Sequence, residues 1–335
     1  MKVHWIAAAF VAVTMCVTGN WISSTHAQDL ELLPISSMGD SDVSTQKAGD
    51  CDLCGSCAKG DKCGCCEEKL LGIVRRTDRC YSDFISPMTN PVFFEDPRNL
   101  SEIRFIFIHH EIPDTAYGGD AQLIAAQVRA SLTERLSLIA TKDGFIFADH
   151  PLMTDGWADV NVGLKYALFA DPCTQRLLSA GVTYEMPFGS TQTLQGNGDG
   201  EFHLFLTGGT QIGENWHWLS GTGFRLPVDS VDESQVWYWS NHLDRQLADR
   251  FYAFGEVNWY NWMKSGGGGV PNIEGTDLFN LGSQDVAGTN MVTGALGVKF
   301  VPNDSMEIGF AWETPMENRE NIMKNRYTVD WIIRY

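Results

Sequence analysis

Residues 327–335 read YTVDWIIRY, and their two-residue rhythm sets the problem for the rest of the chain. Tyr327, Val329, Trp331, Ile333 and Tyr335 fall on one face, and Thr328, Asp330, Ile332 and Arg334 on the other. Successive side chains of a strand point to opposite faces, so the stretch is a half-apolar β-strand. Its apolar face carries aromatics at both ends and aliphatics between them. A water-soluble sheet shows the same alternation, so the solvent met by that face must be read from the remaining sequence.

The rhythm recurs. Ala158, Val160, Val162, Leu164, Tyr166 and Leu168 oppose Asp159, Asn161, Gly163 and Lys165. Val292, Gly294, Leu296, Val298 and Phe300 oppose Thr293, Ala295, Gly297 and Lys299, and Met306, Ile308, Phe310 and Trp312 oppose Glu307, Gly309 and Glu313. Each run is about ten residues, enough for a tilted strand to cross a bilayer. Short turns (Asp171-Pro172, Gly213-Glu214-Asn215, Pro302-Asn303-Asp304) alternate with long polar loops such as GSTQTLQGNGDGE and KSGGGGVPNIEGTDLFNLGSQDVAGTN. That layout predicts an all-β fold: an antiparallel transmembrane β-barrel of about twelve strands, an even number as single-chain bacterial barrels have. A closed barrel is also the all-strand arrangement that leaves no backbone group unpaired in lipid. The alternative is an exported soluble β-sandwich, and a mean hydropathy of −0.16 does not separate the two.

Eleven Trp residues favour the membrane. Indole suits the bilayer interface, where an apolar ring and a polar N–H both find partners. Trp216, Trp218, Trp237, Trp239, Trp259, Trp312, Trp331 and Tyr335 are the expected interface aromatics, and Trp262 near a strand end reads the same way. Inward candidates on the polar faces are Asp159, Asn161, Lys165, Lys299, Glu307, Glu313, Asp330 and Arg334. Mixed charge on an inner face suits a water-containing lumen.

The N-terminus supplies an address. Lys2 precedes an apolar run from Ile6 to Val17, and Thr25-His26-Ala27 offers a small-residue cleavage site. Residues 1–27 therefore read as a secretory signal peptide rather than a spanning helix, which needs about 20 apolar residues. Residues 28–66 read as a flexible, Cys-rich segment. Residues 67–100 are transitional, with a possible short helix in EEKLLGIVRR and then a proline-broken stretch, and Glu67 to Pro97 could enter the lumen as a plug. Residues 101–335 form the expected barrel. The net charge of −18 argues against nucleic acid as a partner.

Cys51, Cys54, Cys57, Cys63, Cys65 and Cys66 form a cluster, and Cys80 and Cys173 bring the exported count to eight. An even number in an oxidising compartment favours disulfides. Closely spaced thiolates could instead hold a soft metal, and the spacing departs from that of iron–sulfur runs. His109-His110-Glu111 reads as a strand-end pair before a metal site. Asn197 to Glu201 reads as a Gly-rich loop before a Ca²⁺ site, since it lacks the length of an EF-hand loop. Ser240-Asn241-His242 is too closely spaced for a nucleophile and its base on one strand face, and Asp149-His150 lacks a second acidic pair. No enzymatic activity and no cofactor are expected.

A strand such as Tyr327–Tyr335 at the C-terminus resembles that of bacterial outer-membrane β-barrels, whose last strand commonly ends in Phe, Tyr or Trp. The resemblance implies that the barrel assembly machinery reads it. FISPMTNPVFFEDPR (84–98), LIATKDG (138–144), WADVNVGLKYAL (157–168), QGNGDG (195–200) and GFRLP (223–227) further resemble exported porin-like or transporter-like barrels of planctomycete-type bacteria. The expected function is a channel or passive transporter for small solutes, with outer-membrane lipid around it. The alternative is an envelope protein, structural or adhesive, anchored by the barrel and working through its Cys-rich leader.

Overall fold

The computed structural model describes residues 69–335. The signal-like stretch, the leader and the six-cysteine cluster lie outside the described residues. Twelve antiparallel strands form one closed ring. They are β1 (Glu102–Glu111), β2 (Asp120–Ser131), β3 in two pieces (Leu136–Lys142 and Phe145–Asp149), β4 (Val160–Asp171), β5 (Arg176–Met186) and β6 (Glu201–Ile212). The second half comprises β7 (Trp216–Pro227), β8 (Gln235–Ala248), β9 (Phe251–Lys264), β10 (Asn290–Asn303), β11 (Met306–Pro315) and β12 (Asn325–Arg334). Neighbours in sequence pair with each other. β12 closes the ring on β1, with Val329 opposite Phe107 and Asp330 opposite Ile106. Every strand thus has two partners, and no backbone edge faces lipid.

Connections of two to four residues join β2–β3, β4–β5, β6–β7, β8–β9 and β10–β11 at one end. Residues 112–119, 150–159, 187–200, 228–234, 265–289 and 316–324 connect strands at the other. Barrels of this kind keep short turns on the periplasmic side and long loops outside. We call these the turn end and the loop end.

Burial alternates along every strand and gives the faces their solvents. Tyr238 and Ser240 are fully buried, whereas Trp239 between them is 50% exposed. The outward set is apolar around the ring: Phe105, Ile124, Leu164, Leu204, Phe224, Val257, Val298 and Phe310 are all exposed. Soluble monomers rarely expose contiguous apolar patches above a few hundred Å². A belt of this kind encircling a ring is a lipid-facing surface, and it removes the sandwich alternative. The barrel therefore spans a lipid bilayer.

Three local expectations are corrected. Residues 67–76 contain no helix among those described. Lys69–Leu70 pairs instead with Val74–Arg75 in a small hairpin, and Leu71 (φ 53°) and Gly72 (φ 73°) make its left-handed turn. Ala158 precedes β4 and is buried in the core rather than turned to lipid. A bulge between Ala167 and Phe169 leaves both Leu168 and Phe169 exposed, so the alternation of β4 breaks there.

Several outward indoles find partners within the protein. Trp239 Nε1 donates to Ser220 Oγ at 2.9 Å, Trp237 Nε1 to Thr222 Oγ1 at 3.0 Å, and Trp312 Nε1 to Asn325 Oδ1 at 3.1 Å. Small polar residues on the lipid face of β7 therefore satisfy donors that acyl chains could not. Trp216, Trp218, Trp259, Trp331 and Tyr335 also lie on outward positions. Trp262 does not. It is fully buried inside, with the Arg319 guanidinium 5.7 Å from its ring.

Candidate functional site: the filled barrel interior

The segment before β1 runs into the barrel from the turn end and returns. Thr77 N donates to Tyr335 O at 2.8 Å, and Tyr81 Oη donates to Arg176 O at 3.3 Å. Further along, Asn90 Nδ2 donates to Ser240 Oγ at 2.8 Å on β8. Val92 and Phe93 sit in the central apolar cluster with Ile106, Ile108, Tyr238 and Phe279. Residues 84–98 contain Pro87, Pro91 and Pro97, which disfavour helix and each remove a backbone donor. The wall satisfies what remains. Gln127 Nε2 donates to Pro91 O at 2.7 Å, Ser179 Oγ to Pro97 O at 2.6 Å, and Thr207 Oγ1 to Glu95 O at 2.8 Å. Irregular backbone at membrane depth is tolerated on this condition, that protein groups surround it.

Charge fixes the segment further. Glu95 pairs with Arg129 at 2.6 Å and Lys165 at 2.8 Å. Lys165 Nζ also donates to Asp96 O (2.6 Å) and Arg98 O (2.8 Å), so one ammonium gathers three acceptors within residues 95–98. Arg98 pairs with Asp96 at 2.7 Å and lies 3.8 Å from Glu307. Glu256 accepts from Met88 N at 2.8 Å and Thr89 N at 2.7 Å, and its other partner is His242 Nδ1 at 2.6 Å. Asp244 continues the chain of groups to His217, 2.8 Å away.

The expected inward residues fall into distinct places. Lys299, Glu307, Asp330 and Arg334 meet in one network: Lys299 lies 3.0 Å from Glu307 and 3.1 Å from Asp330, and Arg334 also reaches Glu102 at 2.8 Å. Lys165 holds the N-terminal segment. Glu313 is further toward the loop end, accepting from Asn258 Nδ2 at 3.0 Å. Asn161 is buried on β4. Asp159 is not on the wall. It precedes β4, and its carboxylate accepts from Gly189 N (2.8 Å) and Gly196 N (2.9 Å), bracing the 187–200 loop.

The loop end is closed by a second element. Residues 265–289 fold inward, burying Thr276, Asp277, Leu278 and Phe279. Arg225 Nη1 donates to Thr276 O at 3.0 Å and Phe279 O at 3.2 Å, while Arg326 pairs with Asp277 at 2.8 Å. A cavity of about 250 Å³ remains outside this inserted loop, lined by Ile112, Tyr117, Leu152, Met153, Ile273 and Leu281 among others. Arg129, Glu256 and Arg225 were not singled out in the sequence. Their only signal is an inward position on an alternating strand.

The remaining motifs separate on the strand pleat. His109 faces outward against Tyr327, whereas His110 points in and meets Ile322 O at 2.7 Å. Ser240 and His242 face inward while Asn241 faces out and accepts from Trp218 Nε1 at 3.3 Å. Asp149 and His150 end β3; His150 contacts Ala116 O at 2.9 Å. Cys80 and Cys173 are both disulfide-bonded. Gln175 Nε2 donates to Cys80 O at 2.9 Å, which places Cys80 beside the β4–β5 turn.

An outer membrane channel from Pseudomonas putida F1 superposes on this ring with a TM-score of 0.52, at 10% identity, covering 75% of this chain and all of that one. The chain has an outer-membrane β-barrel fold. NanC porin (TM-score 0.45, 8% identity, 70% of this chain and 99% of that one) and KdgM porin (0.43, 10%, 69% and 99%) are more distant likenesses. No protein-family model matches the chain. No curated protein matches it either.

Proposed function

We propose that the barrel is a channel or passive transporter for small solutes, held shut by residues 84–98. The observation that carries this reading is the contrast inside the ring. The wall is lined with paired charges suited to water, yet its space is occupied by a segment that forms no strand with it. A twelve-stranded ring lies between barrels filled by their own wall side chains and open porins, so an added segment can close it. The likeness to the outer membrane channel from Pseudomonas putida F1 agrees with a channel, and the resemblance to planctomycete-type porin-like barrels belongs with it. No catalytic role is assigned to any side chain.

Conductance in a planar bilayer tests this. The full chain is expected to be silent or to open rarely, and a variant lacking residues 84–98 to conduct steadily. Since that deletion could impair assembly, Glu95→Gln with Asp96→Asn provides a milder opening. Equal conductance in all three, each shown folded by its heat-modifiable gel mobility, would remove the plug from the reading. The anchor alternative draws support from the same filled interior. It predicts no conductance in any variant and a surface phenotype on replacing the leader cysteines.

A further inference from the structure

The loop end is strongly acidic. The six connections there carry twelve Asp and Glu against Arg319 and Lys324. The cavity of about 250 Å³ outside the inserted loop has none of that charge on its walls. Five of the six connections contribute to its lining, and no Asp, Glu, Lys or Arg is among the residues that do. Its floor is Ile112, Ala116, Met153 and Ile322, all buried members of the central apolar cluster. Tyr117 (59% exposed) and Leu152 (56%) stand at the mouth.

The polar side chains of the lining are mostly engaged within the protein. His150 Nε2 donates to Ala116 O at 2.9 Å and Nδ1 accepts from Leu152 N at 3.1 Å, so both ring nitrogens are taken. Asn197 Nδ2 donates to Asn280 O at 3.1 Å. What remains is Asn197 Oδ1 and the Tyr117 hydroxyl. The backbone around the cavity is strained. Among the described residues, eight that are not glycine take left-handed backbone, and four of them belong to this rim. Tyr117 (φ 73°) and Leu194 (φ 58°) line the cavity, and Asn272 (φ 65°) and Asn321 (φ 50°) adjoin Ile273 and Ile322, which also do. That conformation is easy for Asn but costly for Tyr and Leu. Such strain persists where the surroundings over-determine it, and it clusters where ligands are held.

We propose that this cavity binds a small neutral molecule with an apolar body and one hydroxyl, of the size of an alkylphenol. Volume, lining and charge each select it. An apolar cavity of about 150 Å³ takes one benzene. The space here, about 250 Å³, suits a ring with one or two added groups. Seating the ring removes apolar surface from water, and Asn197 Oδ1 offers the hydroxyl an acceptor. An anion is repelled by the acidic loops, and a cation finds no carboxylate on the wall. The inference goes beyond the channel reading and does not depend on it, since the site can be measured on a barrel that never conducts.

The test uses the full chain in lipid nanodiscs, with p-cresol as probe in calorimetry and empty nanodiscs as the blank. Saturable binding above the blank is expected. The same ring bearing either charge, 4-methylbenzoate or 4-methylbenzylammonium, should bind at least about tenfold more weakly. Ala116→Phe, which fills the floor, should weaken p-cresol at least about tenfold. Leu152→Trp narrows the exposed mouth without touching the buried floor, and should act in the same direction. Three results would each overturn the proposal: uptake no greater than that of empty nanodiscs, binding unchanged in both variants when each is folded by gel mobility, or a charged analogue binding as tightly as p-cresol. Conductance, silent or open, bears on the channel reading alone.

Discussion

The two ends of this barrel are closed differently. At the turn end, the five turns and residues 69–79 carry six bases against five acids, and the stopper is held by salt bridges between segment and wall. At the loop end acids outnumber bases twelve to two. There the inserted loop is held by one ion pair, Arg326 to Asp277, alongside neutral contacts such as Arg225 to its carbonyls and Gln195 Nε2 donating to Leu278 O at 2.9 Å. A carbonyl acceptor persists whatever the loop's side chains, whereas an ion pair is lost with one substitution. The turn-end stopper should therefore respond to single charge changes more than the loop does.

Glu307→Ala should produce the largest effect. It takes from Lys299 and Arg334 one of their two carboxylate partners each, and removes a neighbour of Arg98, all inside the ring. Breaking a buried pair from one side costs about 3–5 kcal/mol. The check is a lower temperature at which the folded gel species converts to the unfolded one. If Glu307→Ala matches wild type, the ion-pair account of the turn end is wrong.

Glu256→Gln comes next, and it separates the stopper from the wall. The carboxylate that accepts from Met88 N and Thr89 N becomes a neutral amide, with a loss of about 1.5–3 kcal/mol. Protease cleavage within residues 84–98 should rise while the barrel stays intact. Asp277→Asn probes the loop end in the same currency. It weakens one pair with Arg326 but leaves the carbonyl contacts of Arg225, so protection of residues 273–283 from hydrogen exchange should fall by less.

A pH dependence sharpens the comparison at the loop end. Burial, then the Glu201 charge, pushes the Glu233 carboxyl up to about 9. A carboxyl that is easier to protonate when folded favours the folded state below its unfolded value, about 4.3. That contribution is lost as pH rises from there through the folded value. Stability of the loop end should decline across this window, and Glu233→Gln should flatten the decline in a melting series from pH 5 to 9. The smallest effect is expected from Trp239→Phe, which removes the bond to Ser220 on the lipid face and costs about 0.5–1.5 kcal/mol in urea unfolding.

The fold was legible because a barrel in lipid imposes a period of two on nearly every strand. The alternation in 292–300 and 306–312 assigns each side chain a face without any tertiary information. It fails at Ala167 to Phe169, where a bulge adds a residue and resets the phase. It also fails at Trp262, whose size suggests an interface while its position in β9 turns it inward. What lies inside was far less legible. Lys299 finds its carboxylates 8 and 31 residues away, and Glu256 meets a segment 167 and 168 residues upstream. No local pattern encodes such partners. The possible helix at 67–76 fails for a related reason: its apolar residues suit either period, and Leu71-Gly72 turns the chain instead.

The order of the chain gives the ring a history. Residues 84–98 precede every strand of the barrel, yet they lie inside a ring that closes only when 325–334 pairs with 102–111. The occupant must therefore be within the forming wall before the seam is sewn, much as a ship is raised inside its bottle. Assembly is then a question of timing as well as affinity. A peptide of sequence 84–98 offered to a finished, empty barrel would have to thread a narrow mouth and find each partner in turn. It should enter far more slowly than the tethered segment is captured during folding.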